Sequence, residues 1–146
     1  MINIHATAIV IGKTGLLFTG PSGWGKSMTA FTCMAEARRQ GIFSALVADD
    51  RVLLSKDGGA VTAACPPSIA GLIELRGTGI VKQAHIAQAT MHFAVLPASA
   101  TGEGRLPADG ETVVLAEGFE LPALRLLPNL PLPLAVLMAK APEIGS

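Results

Sequence analysis

The chain has 146 residues, half of them hydrophobic and 15% charged, and its eleven basic and eleven acidic side chains give a formal net charge of zero. That length predicts one domain with one sizeable core, spanning 1–146 as a single catalytic unit, soluble and compact. The charge balance excludes the broad electrostatic footprint of a nucleic-acid or anionic-membrane binder. The apolar surplus is also compatible with surface buried between copies of the chain.

From the N-terminus, Ala8–Ile11, a turn at Gly12–Gly15 and Leu16–Thr19 predict a hairpin that feeds a glycine-rich loop. A helix is predicted from Lys26 to Gln40, with Phe31, Met34 and Ala35 on its apolar face, Arg38 and Arg39 at its C-terminal dipole and Gly41 as its stop. Ala45–Ala48 predicts a short buried strand that ends at Asp49 and Asp50 and lies beside the glycine-rich loop. Val52–Leu54 and Ala60–Ala64 flank a turn at Lys56–Gly59. Met91–Leu96 and Thr112–Leu115 predict further strands, and Ala98–Gly110 a mobile surface loop. Leu121–Ala139 is apolar but carries four prolines and Arg125, which predicts strand, loop and a short terminal helix, not a membrane span. Strands outnumber helices, so the expected fold class is α/β dominated by sheet. Cys33 and Cys65 lack metal-site spacing and predict two buried, reduced thiols. The N-terminus shows no basic region followed by an apolar run, so a cytoplasmic location is the expectation.

The chemistry starts at Gly20-Pro21-Ser22-Gly23-Trp24-Gly25-Lys26-Ser27, a full match to G-x-x-x-x-G-K-[ST]. Glycines let the backbone curl so that successive N–H groups point at phosphate oxygens, and the following helix adds its N-terminal dipole. Lys26 reaches the outer phosphates, and the Ser27 hydroxyl suits Mg²⁺. The nucleotide is ATP or GTP. For Trp24 two readings stand, packing against a neighbouring loop or stacking on the base. In the Asp49–Asp50 pair, one carboxylate suits the metal shell and the other suits accepting a proton from an attacking hydroxyl; an ordinary turn explains the pair as well. Glu74 and Arg76 in Ile73–Ile80 offer a metal ligand and a phosphate partner, and a strand followed by a glycine turn accounts for them equally. His85 and His92 read as structural.

Taken together, His5, the G-x-S-G-x-G-K-S loop, Val47-Ala48-Asp49-Asp50 and Glu74-Leu75-Arg76-Gly77-Thr78-Gly79-Ile80 resemble the catalytic domain of the HPr kinase/phosphorylase family. The last segment is similar to that family's E-[IVL]-R-G-x-G-I signature. Gly104-Arg105-Leu106 resembles a later D-R-L segment. The resemblance implies a short form without the family's N-terminal domain, and a sheet-rich P-loop fold related to the nucleotide-binding core of phosphoenolpyruvate carboxykinase. It implies ATP- and Mg²⁺-dependent phosphorylation of a serine on HPr, the phosphocarrier of the sugar phosphotransferase system, in a homo-oligomer, commonly a hexamer. By motif position, Asp50 takes the serine proton, Lys26 stabilises the transferring phosphoryl group, Ser27 and Glu74 hold Mg²⁺, His5 and Arg105 complete the site and Asp49 supports it. Two departures stand out. The helix is lengthened around Ala35–Gln40. The segment Leu126–Pro133 lacks the Gly-Arg pair of the family's V-x-P-G-R-N loop, which puts the phosphorylase reaction in doubt. It also leaves open a kinase for another protein or a small metabolite, or a nucleotide sensor without turnover.

Overall fold

The computed structural model describes residues 1–99 and 109–146. Its centre is a six-stranded sheet in the order β11-β12-β10-β3-β2-β4. Those strands are β2 (Thr7–Ile11), β3 (Thr14–Phe18), β4 (Ser44–Ala48), β10 (Phe93–Pro97), β11 (Thr112–Ala116) and β12 (Phe119–Leu126). A four-stranded antiparallel sheet contains β1 (Ile2–Ile4), β5 (Val52–Asp57), β6 (Ala60–Ala64) and β9 (Gln88–Met91). β7 (Leu72–Leu75) and β8 (Gly79–Lys82) form a separate hairpin. Two helices complete the fold, α1 (Lys26–Arg39) and α2 (Pro133–Lys140). The result is the sheet-dominated α/β class expected from the sequence.

Strand periodicity explains the layering. In β2 and β3 the residues Ile9, Ile11, Leu16 and Phe18 face one apolar cluster, while Ala8, Val10 and Leu17 face another. Alternate side chains on a strand point to opposite faces. Both faces of these strands are therefore covered, and β2, β3 and β4 are buried at every position. The first cluster takes in α1 and α2, and the second takes in the four-stranded sheet. Each fully buried Ile, Leu or Phe contributes about 1.5–3 kcal/mol, so the central strands anchor everything attached to their ends.

Three sequence expectations are refined or changed. First, β4 ends beside the glycine-rich loop as expected, with Asp49 bonded to Ser27, and it does so by pairing with β2, while the loop-bearing β3 has β2 and β10 as neighbours. Because β2 is antiparallel to both, β3 and β4 still end at the same edge. Second, Met91–Leu96 is not one strand. His92 is a pivot: its N–H donates to the Gly15 carbonyl at 2.8 Å and its Nδ1 accepts from the Gly15 N–H at 2.9 Å. β9 thereby joins one sheet and β10 the other. Gly15 permits this approach, since a Cβ there would lie 2.0 Å from the Thr90 carbonyl oxygen. Third, the buried face of α1 is Ala30, Cys33, Met34 and Ala37, rotated from the predicted Phe31–Met34–Ala35 face. The periodicity was satisfied by more than one stripe, and small residues won because the helix lies against β2. Cys33 is buried, and burial pushes its thiol pKa up, whereas Cys65 is only half-buried. Within Ala98–Gly110, residues 100–108 lie outside the described residues. No helix among the described residues is long and apolar enough to cross a membrane.

Helix α1 ends as its sequence dictates. Gly41 adopts φ 73°, its N–H donates to Arg38, and the Ile42 N–H donates back to Ala37 at 2.8 Å. This pair of bonds is the Schellman arrangement that satisfies the last carbonyls. Helix α2 begins differently. Pro133 stands at its first position, and the preceding Leu132 has no oxygen with which to cap it. The capping group comes from α1: the buried Glu36 carboxylate accepts from the Leu134 N–H at 2.8 Å and the Ala135 N–H at 3.2 Å. A carboxylate at a helix N-terminus satisfies free N–H groups and complements the dipole.

At the β11 edge of the sheet, Arg125 grips Glu111 with two bonds, Nε to Oε1 at 3.1 Å and Nη2 to Oε2 at 2.6 Å. It also donates to the Pro97 carbonyl at 2.9 Å, joining β12 to β10's end. The Arg125 hydrogen bond holds the Glu111 carboxyl below its ordinary value of 4.5, against a smaller opposing effect of burial. A depressed carboxylate pKa adds stability above the unfolded-state value, and that stability is lost as pH falls through the folded value.

Two measurements check these ties. Glu36→Ala leaves two helix N–H groups without a partner, and is expected to lower stability by about 2 kcal/mol in denaturant titration, with faster amide exchange confined first to α2. Glu111→Gln is expected to cost no more than about 1 kcal/mol at neutral pH, because the pair is partly exposed. Its difference from wild type should shrink steadily below pH 4.5 in acid titrations of the two proteins. A difference independent of pH would show that the charge of Glu111 contributes nothing.

Candidate active site

The common edge of β3 and β4 gathers the sequence motifs. Past β3, Gly20, Gly23 and Gly25 hold φ of 117°, 89° and 94°, the region that L side chains avoid. Around Gly23, no atom would lie within 4 Å of an added Cβ, so the loop's crest faces open space. Gly25 is also the residue from which α1 starts. Gly20, Pro21, Ser22, Gly23, Trp24, Gly25, Lys26 and Ser27 thus form a curled backbone that opens onto a helix N-terminus, the arrangement that binds phosphate.

Lys26 is buried and lies back along the loop, its Nζ donating to the carbonyls of Pro21 at 3.2 Å and Gly20 at 3.4 Å. Burial lowers its pKa, and the charges of Asp50 and Asp49 work in the opposite direction. An added anion would push it back toward the charged form.

Asp49 is the organising carboxylate. It is 6% exposed. Its Oδ1 accepts from Ser27 Oγ at 2.5 Å and from Thr7 Oγ1 at 2.9 Å, and its Oδ2 accepts from the Glu74 backbone N–H at 3.0 Å. Three separate elements, α1, β2 and β7, are tied to one side chain. Its reach is set by a bulge in the β2–β4 pairing, where Ala8 opposes Ala48 but Ile9 opposes Leu46. The extra residue, Val47, turns the strand end. Thr7 is the participant that sequence reading missed; its only signal was a hydroxyl in an otherwise apolar strand.

Asp50 sits differently. Its φ is 72°, and the Arg51 N–H donates to the Asp49 carbonyl at 2.8 Å. This is the rare γ-turn with a positive central φ, a strained conformation. Asp50 is therefore in a turn, but not an ordinary one. The turn exposes its carboxylate and sets Oδ1 2.5 Å from His5 Nε2. The Ala6 N–H donates to the Asp50 carbonyl at 3.3 Å, which fixes the segment carrying His5 against it.

Glu74 reaches the site through its backbone, and its side chain is exposed. Arg76 is exposed on the β7–β8 turn, and Arg105 lies outside the described residues. The Trp24 side chain turns inward from the loop: it is 8% exposed and packs into the core, neither against a neighbouring loop nor open to a base. Among the described residues, no three His, Cys, Asp or Glu side chains cluster as a complete metal cage. The hydroxyl and carboxylate oxygens at Ser27 and Asp49 are nonetheless the hard donors that Mg²⁺ takes, and that ion is commonly held by one or two protein groups together with phosphates and water.

Comparison with known proteins agrees with this geometry. A model of the HPr Serine kinase C-terminal domain matches residues 1–91, which hold every described motif of the site. HPr kinase/phosphorylase of Lacticaseibacillus casei is 38% identical over 80 residues, 54% of this chain and 23% of that protein. The Lactobacillus acidophilus protein of the same name is 39% identical over the same shares, and that of Clostridium botulinum is 32% identical over 78 residues, 53% of this chain and 24% of its own length. These alignments thus span about a quarter of the curated relatives. The solved Hpr(Ser) kinase/phosphatase of Coxiella burnetii superposes with a TM-score of 0.73 at 25% identity, over 96% of this chain and 95% of that one. On the strength of the site-bearing match over 1–91, the chain belongs to the HPr serine kinase C-terminal domain family.

Proposed function

We propose that the chain is an ATP- and Mg²⁺-dependent kinase that phosphorylates a serine of HPr, and so regulates sugar uptake through the phosphotransferase system. One observation carries this reading: Asp50, strained and exposed in contact with His5, adjoins the part-buried Ser27–Asp49 pair at the mouth of a P-loop. A phosphate-binding loop alone implies only nucleotide binding. A second, accessible carboxylate beside it supplies an acceptor for the proton of an attacking hydroxyl.

In this reading the amides of Gly20–Ser27 hold the triphosphate, and Lys26 leaves its two carbonyl partners for the outer phosphates. Ser27 would hold Mg²⁺ beside Asp49, which orients its hydroxyl, and Glu74, whose backbone is tied to Asp49, would add its exposed carboxylate. Bound Mg²⁺ supplies charge neutralisation at the phosphate oxygens. Asp50 receives the proton of the substrate serine, and His5 fixes that carboxylate from the opposite side. Arg105 completes the phosphate contacts. Most of the rate acceleration then comes from positioning and electrostatics, as phosphoryl transfer requires. The protein works in the cytoplasm as a homo-oligomer, with a hexamer the expected state. The reverse, phosphorolytic reaction is weak, because Leu126–Pro133 offers no arginine for phosphate. That segment instead ends β12 and leads, through Asn129 at φ 65°, directly into α2.

Incubation with purified HPr, labelled ATP and Mg²⁺ should yield phosphoserine on HPr. Transfer to a small metabolite or to another protein, with none to HPr, would redirect the reading to a different acceptor. Asp50→Asn is a suitable probe because asparagine tolerates the left-handed conformation. It should lower the transfer rate by about 10²–10⁴-fold and leave ATP affinity within about twofold, since the base acts on the nucleophile. Wild-type transfer by Asp50→Asn would remove Asp50 from the mechanism.

A further inference from the structure

Trp24 is the chain's sole tryptophan, and it occurs between Gly23 and Gly25 in the phosphate-binding loop. Two flanking glycines leave the backbone there with little local restraint, and a loose loop must be ordered when a ligand binds. The indole counters this. Its ring belongs to the same buried cluster as Phe18, Ala30 and Val95. Its Nε1 donates to the Thr19 carbonyl at 3.0 Å, at the base of the loop. Thr19 is itself held, its N–H donating to the Val95 carbonyl at 3.0 Å. Gly20 closes over the indole: a Cβ there would lie 3.3 Å from Nε1 and 3.0 Å from Pro97 Cδ. The crest of the loop is thus fastened to its own base and, through Thr19, to β10.

We propose that Trp24 is a positioning residue which sets the phosphate-binding loop in its working shape before nucleotide arrives. This deepens, and rests on, the reading that Gly20–Ser27 holds a nucleoside triphosphate. The indole lies beneath the loop and is not a platform for the base. Its contribution is to ligand affinity: ordering that is already complete in the free protein need not be supplied on binding. The transfer step, which depends on Lys26 and Asp50, is little changed by it.

Trp24→Phe keeps a ring in the core and removes the N–H donor. Without nucleotide, amides 20–25 should exchange faster than in wild type, while the thermal midpoint stays within a few degrees. The ATP dissociation constant and KM should rise about fivefold, the equivalent of one ordinary hydrogen bond, with kcat nearly unchanged. Unchanged exchange, or unchanged ATP affinity, would overturn the proposal, as would a fall in kcat at constant KM. If wild type failed to bind ATP or GTP, the nucleotide reading would fall, and the exchange comparison would still decide whether Trp24 orders the loop. A misfolded variant would leave a test on wild type, whose fluorescence reports this residue alone. Blue-shifted emission shielded from acrylamide, both with and without ATP, is expected. Emission open to acrylamide in the free protein, or quenched by ATP through stacking, would refute the anchor.

Discussion

The buried carboxylate of Asp49 is the interaction on which the site depends. A carboxylate removed from water must be compensated by hydrogen bonds, and here it receives three, from Thr7, Ser27 and the Glu74 backbone. Each donor lies on a different element. The requirement to satisfy one charge therefore fixes the start of α1, the start of β2 and the β7 hairpin relative to the end of β4. Had the compensation come from a single neighbouring loop, the same charge would have organised nothing. The P-loop's last hydroxyl and the segment carrying the family signature are brought together because they share this acceptor.

The adjacent Asp50 is held by a different kind of constraint. Strain in a turn persists only where surrounding structure over-determines it. The surroundings here are the well-packed central strands, the Ala6–Asp50 backbone bond and the Arg51–Asp49 bond. Two consecutive aspartates thus receive opposite environments from one strand end. One is buried and bonded, and the other is exposed in contact with His5. That division suits a metal-side support and a proton acceptor, two roles that a pair of equivalent carboxylates would fill poorly.

Much of this was legible in the sequence because it is local. The loop motif, its preceding strand, the helix stop at Gly41 and the hairpins follow from spacing and turn chemistry. The assignment of His5 to the region came from resemblance, since nothing in its immediate surroundings marks it, and Glu74 was marked by its own segment only as one of two equal readings. What could not be read is long-range. Glu36 caps α2 across 98 positions, and in the sequence it looks like an ordinary surface acid on a helix. The split at His92 depends on a bond to Gly15, 77 positions away. Strand order was illegible for a similar reason: β4 is an apolar run whose partner depends on which edge its neighbours leave free. The inward turn of Trp24 was not legible either, because sequence shows where a residue lies along a loop, but not which way a glycine-flanked backbone turns its side chain.

Helix α1 and the C-terminal segment, which are far apart in the sequence, meet in space. Glu36 lies near the C-terminal end of α1, and its carboxylate holds the first turn of α2, the helix into which Leu126–Pro133 leads. A helix that begins Leu-Pro, with no oxygen at its cap, needs an outside acceptor for its free N–H groups. Glu36 of α1 provides one. The same helix carries Lys26 and Ser27 at its other end. The segment without the Gly-Arg pair is thus part of a packed unit that runs from the phosphate loop, along α1, to α2. What that stretch does not supply in phosphate-binding chemistry, it supplies as a support for the helix on which the loop is built.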